Sequence, residues 1–371
     1  MALTELQIAG YRSLRSVRLP LQHLNVITGP NGSGKSNLYR ALRLISRVCE
    51  GDFAQSLARE GGLISALWAG PRTSQKPHRV SLGFRTEDFS FELSCGFPPP
   101  IPGPEPSMFC YDAQIKEEAI WFGERRKPTT TLLERGMGTT RVRDVDGNRV
   151  EYPLVLSENE SVLSQLREPH RFPELFSIRD DVRNWRFYHS FRTDDDAPLR
   201  TPQISVRTPV LSHDGHDLAA ALQTIIELGG ATRLAQAIAD ALPGRTLEIL
   251  SNETDLRQKS PRSMELCVSL HTEGCQRPLL ARELSDGTLK YLCLIAALFS
   301  ERPPGLIALN EPESSLHPDL LRPLAGLIVE ASVRSQVWVT THSQALADAI
   351  QEVSGINPHE LRLENGETVI D

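Results

Sequence analysis

The sequence predicts an α/β protein whose core is a mainly parallel sheet, joined by an antiparallel β subdomain and a helical insertion. Three observations carry this. Leu24–Thr28 is a short, almost wholly apolar run that leads into a glycine-rich loop, Gly29 to Gly34, and then into a helical pattern from Ser36 to about Val48. From Ser285 the pattern becomes helix, apolar strand (Leu306 to Leu309), helix, apolar strand (Val337 to Thr340), helix. Apolar strands alternating with helices are the mark of a parallel sheet covered on both faces. Between these ends, His78 to Arg85 and Asp88 to Cys95 alternate apolar and polar residues as the strands of a hairpin do.

The remaining elements follow in order. Leu3 to Ala9 alternates and reads as a strand. Phe97 to Pro106 is proline-rich, cannot continue a ladder, and reads as a loop. Ile115 to Tyr152 breaks into short strands, with Asp146-Gly147-Asn148 as a turn, and Asp194 to Pro209 is a polar, proline-bearing connector. Asp217 can cap a helix running to about Leu228, and a second helix follows through Ala241. Leu247 to Leu250 and Met264 to Leu270 return to strand character, and Leu361 to Ile370 suits a hairpin turning at Asn365-Gly366. The expected organisation is an N-terminal lobe (1–185) with the glycine-rich loop and the β subdomain, a connector and helical insertion (186–278), and a C-terminal lobe (279–371). No run of heptads is long enough for a coiled-coil arm.

Composition narrows the function classes. A formal charge of -7 gives no global basic field, so the total does not support nonspecific nucleic-acid binding. Arg125-Arg126-Lys127 is a local run that could touch DNA phosphates, but a charge run is usually a solvated face. The six cysteines include no CxxC pair, which argues against a zinc site or a disulfide framework and fits buried thiols in a reducing compartment. The N-terminus lacks the pattern of a secretory signal, and the longest apolar run, Leu292 to Phe299, is far shorter than the ~20 residues of a membrane span. A cytoplasmic protein with no membrane association is expected. His213-Asp214-Gly215-His216-Asp217 has the residue types of a metal site, but lies just before a helix, where Asp and Gly are ordinary cap and turn residues.

Four segments carry chemistry. Gly29-Pro30-Asn31-Gly32-Ser33-Gly34-Lys35-Ser36 matches GxxxxGK[ST] in full. A triphosphate needs several backbone N–H groups aimed at it, and glycines let the chain curl closely enough to supply them. Asn31, Gly32, Ser33 and Gly34 would form the cradle, Lys35 would reach the β- and γ-phosphates, and the Ser36 hydroxyl would ligate Mg²⁺. The strand Leu306–Leu309 ends in Asn310-Glu311-Pro312, at the carboxyl edge where parallel sheets do their ligand chemistry, and Glu311 is the candidate for polarising the attacking water. Leu284-Ser285-Asp286-Gly287-Thr288 opens an apolar helix and could bind an anion at the helix N-terminus, though alone it reads as a plain N-cap. His342 follows the Val337–Thr340 strand at the same carboxyl edge.

In this order the segments resemble the Walker A, signature, Walker B and switch histidine of ABC-type ATPases, with Leu284–Thr288 similar to LSGGQ. Arg12-Ser13-Leu14 before Leu24–Thr28 resembles the start of RecF-like and SMC-like heads, and Glu311-Pro312-Glu313-Ser314-Ser315-Leu316-His317-Pro318 resembles the D-loop of ATPases grouped with RecF and OLD-family proteins. The resemblance implies an ABC-ATPase head on a P-loop NTPase core, with ATP and Mg²⁺ as ligands and a homodimer sandwiching two ATP molecules. Ser285 and Gly287 of one subunit would then contact the γ-phosphate held by the other, with Glu311 and His342 in catalysis. It further implies work in DNA repair and maintenance or in phage defence, on DNA or through a separate effector protein. One departure stands out: the usual Mg²⁺-associated Asp of Walker B is Asn310, which offers a carbonyl oxygen and no charge. It keeps open a second reading, a slow or non-hydrolysing nucleotide-dependent switch. A P-loop kinase would need neither the signature nor His342 and ranks last. Gln55 and Trp68-Ala69-Gly70 are the features nearest a Q-loop, without a recognisable frame.

Overall fold

Leu3–Tyr11 shows how the sequence sets its strands. Leu6 and Ile8 are buried two residues apart, as strand alternation requires, yet Leu3 is buried too. A register shift between Leu3 and Glu5 against the neighbouring strand returns Leu3 to the core face. The computed structural model describes residues 1–71, 78–99, 107–136, 138–152, 156–251 and 264–371. They divide into two units, Met1–Trp185 with His359–Asp371, and Arg186–Pro358.

The first unit is built on an eight-stranded antiparallel sheet. Its spatial order is Leu14–Pro20, Leu3–Tyr11, Val80–Thr86, Phe89–Gly96, Gln114–Phe122, Thr131–Arg135, Thr140–Arg143 and Arg149–Glu151. From Val80 onward neighbours in the sheet are neighbours in sequence, and most of the connections are too short for the crossover that parallel pairing needs. Separately, Leu24–Thr28 pairs in parallel with His359–Glu364, which turns through Asn365 and Gly366, both at positive φ, into the antiparallel strand Glu367–Ile370. The helix Lys35–Glu50 buries Leu38, Leu42, Ile45 and Cys49 on one side and packs against the helix Pro173–Arg183.

In the second unit Leu306–Asn310 lies between Arg186–Tyr188 and Gln336–Thr340, all three parallel. A smaller antiparallel sheet holds Gln203–Ile204, Glu265–Thr272 and Arg245–Ser251, with Leu279–Leu280 on the middle strand. The helix Asp286–Leu298 is buried at every position from Thr288 on, which explains its unbroken apolar run. The helix expected from Asp217 to Leu228 stops at Ile225; a π-turn with Gly229 at φ 99° links it to Ala231–Ala241. Asp217 makes no cap hydrogen bond; its carboxylate accepts from the Ser212 amide and hydroxyl instead.

The expected α/β class is present, with parallel pairing among the strands expected for the core and an antiparallel subdomain beside them. Parallel pairing is confined to the strands that flank helices, while the longer sheet is antiparallel throughout. The reason is connection length: short turns can only return the chain antiparallel. The loop expected over Phe97 to Pro106 lies partly outside the described residues, from Pro100 on.

Candidate nucleotide site

In the first unit, Leu24–Thr28 runs into the loop and the helix begins at Lys35, the order strand, loop, helix that the motif demands. Gly34 is the N-cap residue of this helix at φ 104°, a conformation an L side chain rarely adopts, and a Cβ there would collide with the Thr368 hydroxyl. Asn31, Gly32 and Ser36 are exposed, whereas Ser33, Gly34 and Lys35 are buried. The Lys35 ammonium donates to the carbonyls of Gly29 and Pro30, at 2.5 and 2.9 Å, so it is curled back over the loop it would share with a phosphate. The helix N-terminus adds its positive dipole end.

In the second unit the parallel register aligns Asn310 with Thr340, so both strands end at one level. Glu311, Glu313 and His342 therefore come together at this carboxyl edge. Glu311 is partly exposed and held at φ 48°, its amide donating to the Thr340 carbonyl at 2.7 Å. Glu313 is buried. Its Oε1 accepts from the Thr341 hydroxyl at 2.5 Å and from the amides of His342 and Ser343 at 3.2 and 3.3 Å. The His342 Nδ1 lies 3.4 Å from Glu313 and 3.8 Å from Glu311. The pair is thus unequal: Glu313 is buried, with Oε1 shaping the turn that carries His342 and Oε2 without a hydrogen-bond partner among the described residues, and Glu311 faces outward. Asn310 is buried, and its Oδ1 has no hydrogen-bond partner among the described residues.

Ser285 caps the helix Asp286–Leu298, its hydroxyl accepting from the Thr288 amide at 3.3 Å, and remains exposed. A Cβ on Gly287 would meet the Ser315 carbonyl at 2.9 Å, so the residue type permits the close approach of the loop after Glu311. One turn on, the Lys290 ammonium donates to the carbonyls of Ser314 (2.6 Å) and Glu311 (3.3 Å). Burial lowers its pKa, and the carboxylates of Glu313 and Glu311 pull the other way. The signature segment and the Glu311–Ser315 loop are therefore tied together within one unit.

Sequence reasoning missed three residues here. Lys290 is one. Arg200 is the second: its Nη1 donates to the carbonyls of Leu284 (2.8 Å), Ala281 (3.3 Å) and Arg282 (3.4 Å), its Nε to Thr193 (2.9 Å), and its Nη2 to the Asp286 carboxylate (2.5 Å). An arginine in a polar connector gave no sign of this. Thr368, against Gly34, is the third.

Other features singled out in the sequence have local roles. In the 213–217 segment the His216 Nδ1 pairs with Asp214 at 2.6 Å and His213 contacts the Phe187 main chain, and no group of three metal-ligating side chains occurs among the described residues. Arg125, Arg126 and Lys127 are exposed, and Arg126 pairs with Glu134 at 2.7 Å. Gln55 is exposed on the helix Phe53–Arg59; the Trp68 amide donates to the Gly10 carbonyl at 2.8 Å. Arg12, at φ 48°, pairs with Glu60 at 3.0 Å. No helix among the described residues is long and apolar enough to cross a membrane.

Comparison with solved structures gives SMC head domains. One is an Smc head bound to the C-terminal winged-helix domain of ScpA, with a TM-score of 0.55 at 14% identity, covering 100% of this chain and 98% of that one. A second, from Pyrococcus furiosus, is an Smc head with an extended coiled coil bound to the C-terminal domain of ScpA; it gives 0.51 at 14% identity, with 100% and 96% covered. A third, from Pyrococcus yayanosii, is an Smc head with a coiled coil and joint, at 0.51 and 12% identity, with 100% and 96% covered. At such identities the likeness is one of fold. A comparison with curated proteins finds no match. A family model described as "AAA domain, putative AbiEii toxin, Type IV TA system" matches residues 24–91 and 219–348, more than half of the chain, and takes in the loop, the signature, the Glu311 turn and His342. The fold is that of an ABC-type, SMC-like P-loop ATPase head, and the chain belongs to this family of AAA domains.

Proposed function

We propose that the protein binds and hydrolyses ATP, and that ATP drives two copies together head to head. The observation that carries the reading is the loop Gly29–Ser36, which leads from a buried strand to a helix N-terminus with Gly34 in the left-handed region. This fits a phosphate chain: glycine geometry, a lysine and a helix dipole converge on one short segment. Asn31, Gly32, Ser33 and Gly34 surround the phosphates and Lys35 neutralises their charge. Ser36 and Asn310 would hold Mg²⁺, which supplies charge neutralisation at the phosphate oxygens; the orphaned, buried Asn310 Oδ1 is a fitting oxygen donor.

In the chemical step Glu311 accepts a proton from water as the water oxygen bonds to the γ-phosphorus and the bond to the ADP oxygen breaks. Glu311 is the carboxylate suited to this, because Glu313 already accepts three hydrogen bonds. His342, between the two carboxylates, senses the transferred phosphoryl group. Ser285 and Gly287 of one copy complete the site of the other, and loss of the γ-phosphate loosens the dimer. We place this cycle in DNA repair and maintenance or in phage defence, acting on DNA or through a separate effector protein. The solved Smc heads bound to ScpA domains support a partner of the second kind. Asn310 favours a second reading, a nucleotide-dependent switch with slow turnover.

Glu311→Gln tests the assignment. It is expected to keep ATP binding and prolong the dimer while turnover falls by ~10²–10⁴-fold, the usual cost of losing a general base. Steady-state phosphate release beside nucleotide-binding titrations decides it. Near-wild-type turnover would remove Glu311 from the catalytic role and pass it to Glu313 or His342. Binding with no turnover in the wild type would leave the switch.

A further inference from the structure

Thr368 lies in the Glu367–Ile370 strand, far from the glycine-rich loop in sequence, and is buried. Its hydroxyl donates to the Ser33 carbonyl at 2.9 Å. A hydroxyl has one proton, so the 2.7 Å contact between Thr368 Oγ1 and Ser13 Oγ must be donated by Ser13. The Ser13 oxygen in turn accepts from the Asn37 side-chain amide at 2.8 Å. Every proton is thereby placed, and the relay runs one way, from Asn37 through Ser13 and Thr368 to Ser33. The Thr368 amide also donates to the Ser13 carbonyl at 2.9 Å, which fixes the strand that carries the hydroxyl.

The consequence lies in the next peptide group. No peptide bond among the described residues is cis, and in a trans peptide the carbonyl and the following N–H point in opposite directions. With the Ser33 carbonyl held toward Thr368, the Gly34 N–H is turned away from the hairpin. The collision that a Cβ on Gly34 would make is with the same hydroxyl, so the hairpin and the glycine fit each other. A chain of hydrogen bonds also polarises each member, which strengthens the last bond to the carbonyl.

We propose that Thr368 is a positioning residue for phosphate binding, setting the Ser33–Gly34 peptide so that the Gly34 N–H is presented to the phosphates of a nucleotide. The inference rests on the phosphate-binding reading of the Gly29–Ser36 loop. Thr368→Val exchanges the hydroxyl for a methyl of similar size, and Thr368→Ser keeps it. With a fluorescent ATP analogue and Mg²⁺ as the probe, Thr368→Val is expected to weaken binding roughly five- to ten-fold, the worth of about one hydrogen bond, and Thr368→Ser to stay within about two-fold. Inorganic triphosphate as competitor should lose the same factor, since the contact is with phosphate and not with the base. A merely structural role would lower the melting temperature without nucleotide and leave the affinity of the folded protein unchanged.

Lys35→Ala, measured alongside, separates the two claims. If Lys35→Ala loses binding while Thr368→Val stays within two-fold of wild type, the Thr368 inference is overturned and the loop assignment stands. If Lys35→Ala binds as wild type does, the loop assignment falls and takes this inference with it. Should Thr368→Val fail to fold, Thr368→Ala, which leaves space in place of a methyl, becomes the deciding variant under the same criterion.

Discussion

Asn310 and Glu311 are adjacent in sequence and differ in what surrounds them. Glu311 meets solvent, whereas the Asn310 amide oxygen is enclosed without a partner among the described residues. An aspartate at 310 would add a third carboxylate to the edge that holds Glu311 and Glu313 and bury its charge, which costs free energy unless a cation answers it. Asn310→Asp is accordingly expected to lower stability without Mg²⁺ by about 1–3 kcal/mol, and to recover much of that when Mg²⁺ and nucleotide are added. Turnover should change only modestly, since Ser36, the phosphates and water would complete the metal shell. Urea unfolding with and without Mg²⁺·ATP, beside a Mg²⁺ titration of phosphate release, checks both points. Stability that stays low with the metal present would show that position 310 does not face it. The sequence made these two residues visible because each ends an apolar strand. Thr368, Arg200 and Lys290 were invisible, because each bonds to main-chain carbonyls that no side-chain pattern reveals.

Among the elements, the helix Asp286–Leu298 illustrates how far pattern carries. Its length and burial follow from an apolar run, and Ser285 is an ordinary N-cap by residue type. What holds its first turn in place is Arg200, whose buried guanidinium reaches three carbonyls of the preceding segment and the Asp286 carboxylate. A lysine has a single point of attachment and cannot reproduce that fork. Arg200→Lys should therefore cost about 2–4 kcal/mol in urea unfolding and speed amide hydrogen exchange over residues 281–288 before it affects the rest of the unit. Unchanged exchange there would mean the segment is held by its own turn. The helix boundary misplaced at Leu228 has a similarly local cause: Gly229 can enter the left-handed region, and the apolar periodicity does not register that freedom.

At the scale of the molecule, four motifs in sequence order were enough to anticipate the fold of an SMC-like head, because each marks the end of a core strand or the start of a helix. The extent of the antiparallel sheet was less legible, since short half-buried strands carry weak periodicity. The proposed self-association would involve the whole chain and is tested there. Ser285→Arg places a long cation on an exposed cap and leaves the Gly29–Ser36 loop untouched. It is expected to retain nucleotide affinity within about two-fold, well below one hydrogen bond's worth, and to lack the ATP-dependent rise in mass that the proposed dimer predicts for the wild type in light scattering. A variant that still doubles its mass would sink the trans arrangement. Finally, the strand Leu24–Thr28 pairs with His359–Glu364, and all of Arg186–Pro358 is translated between them. At roughly 5–20 residues per second, a ribosome making this chain leaves the loop without its hairpin for on the order of half a minute. Through that interval the loop would lack the Thr368 contact on its Ser33 carbonyl, which can form only after the whole intervening segment has been made.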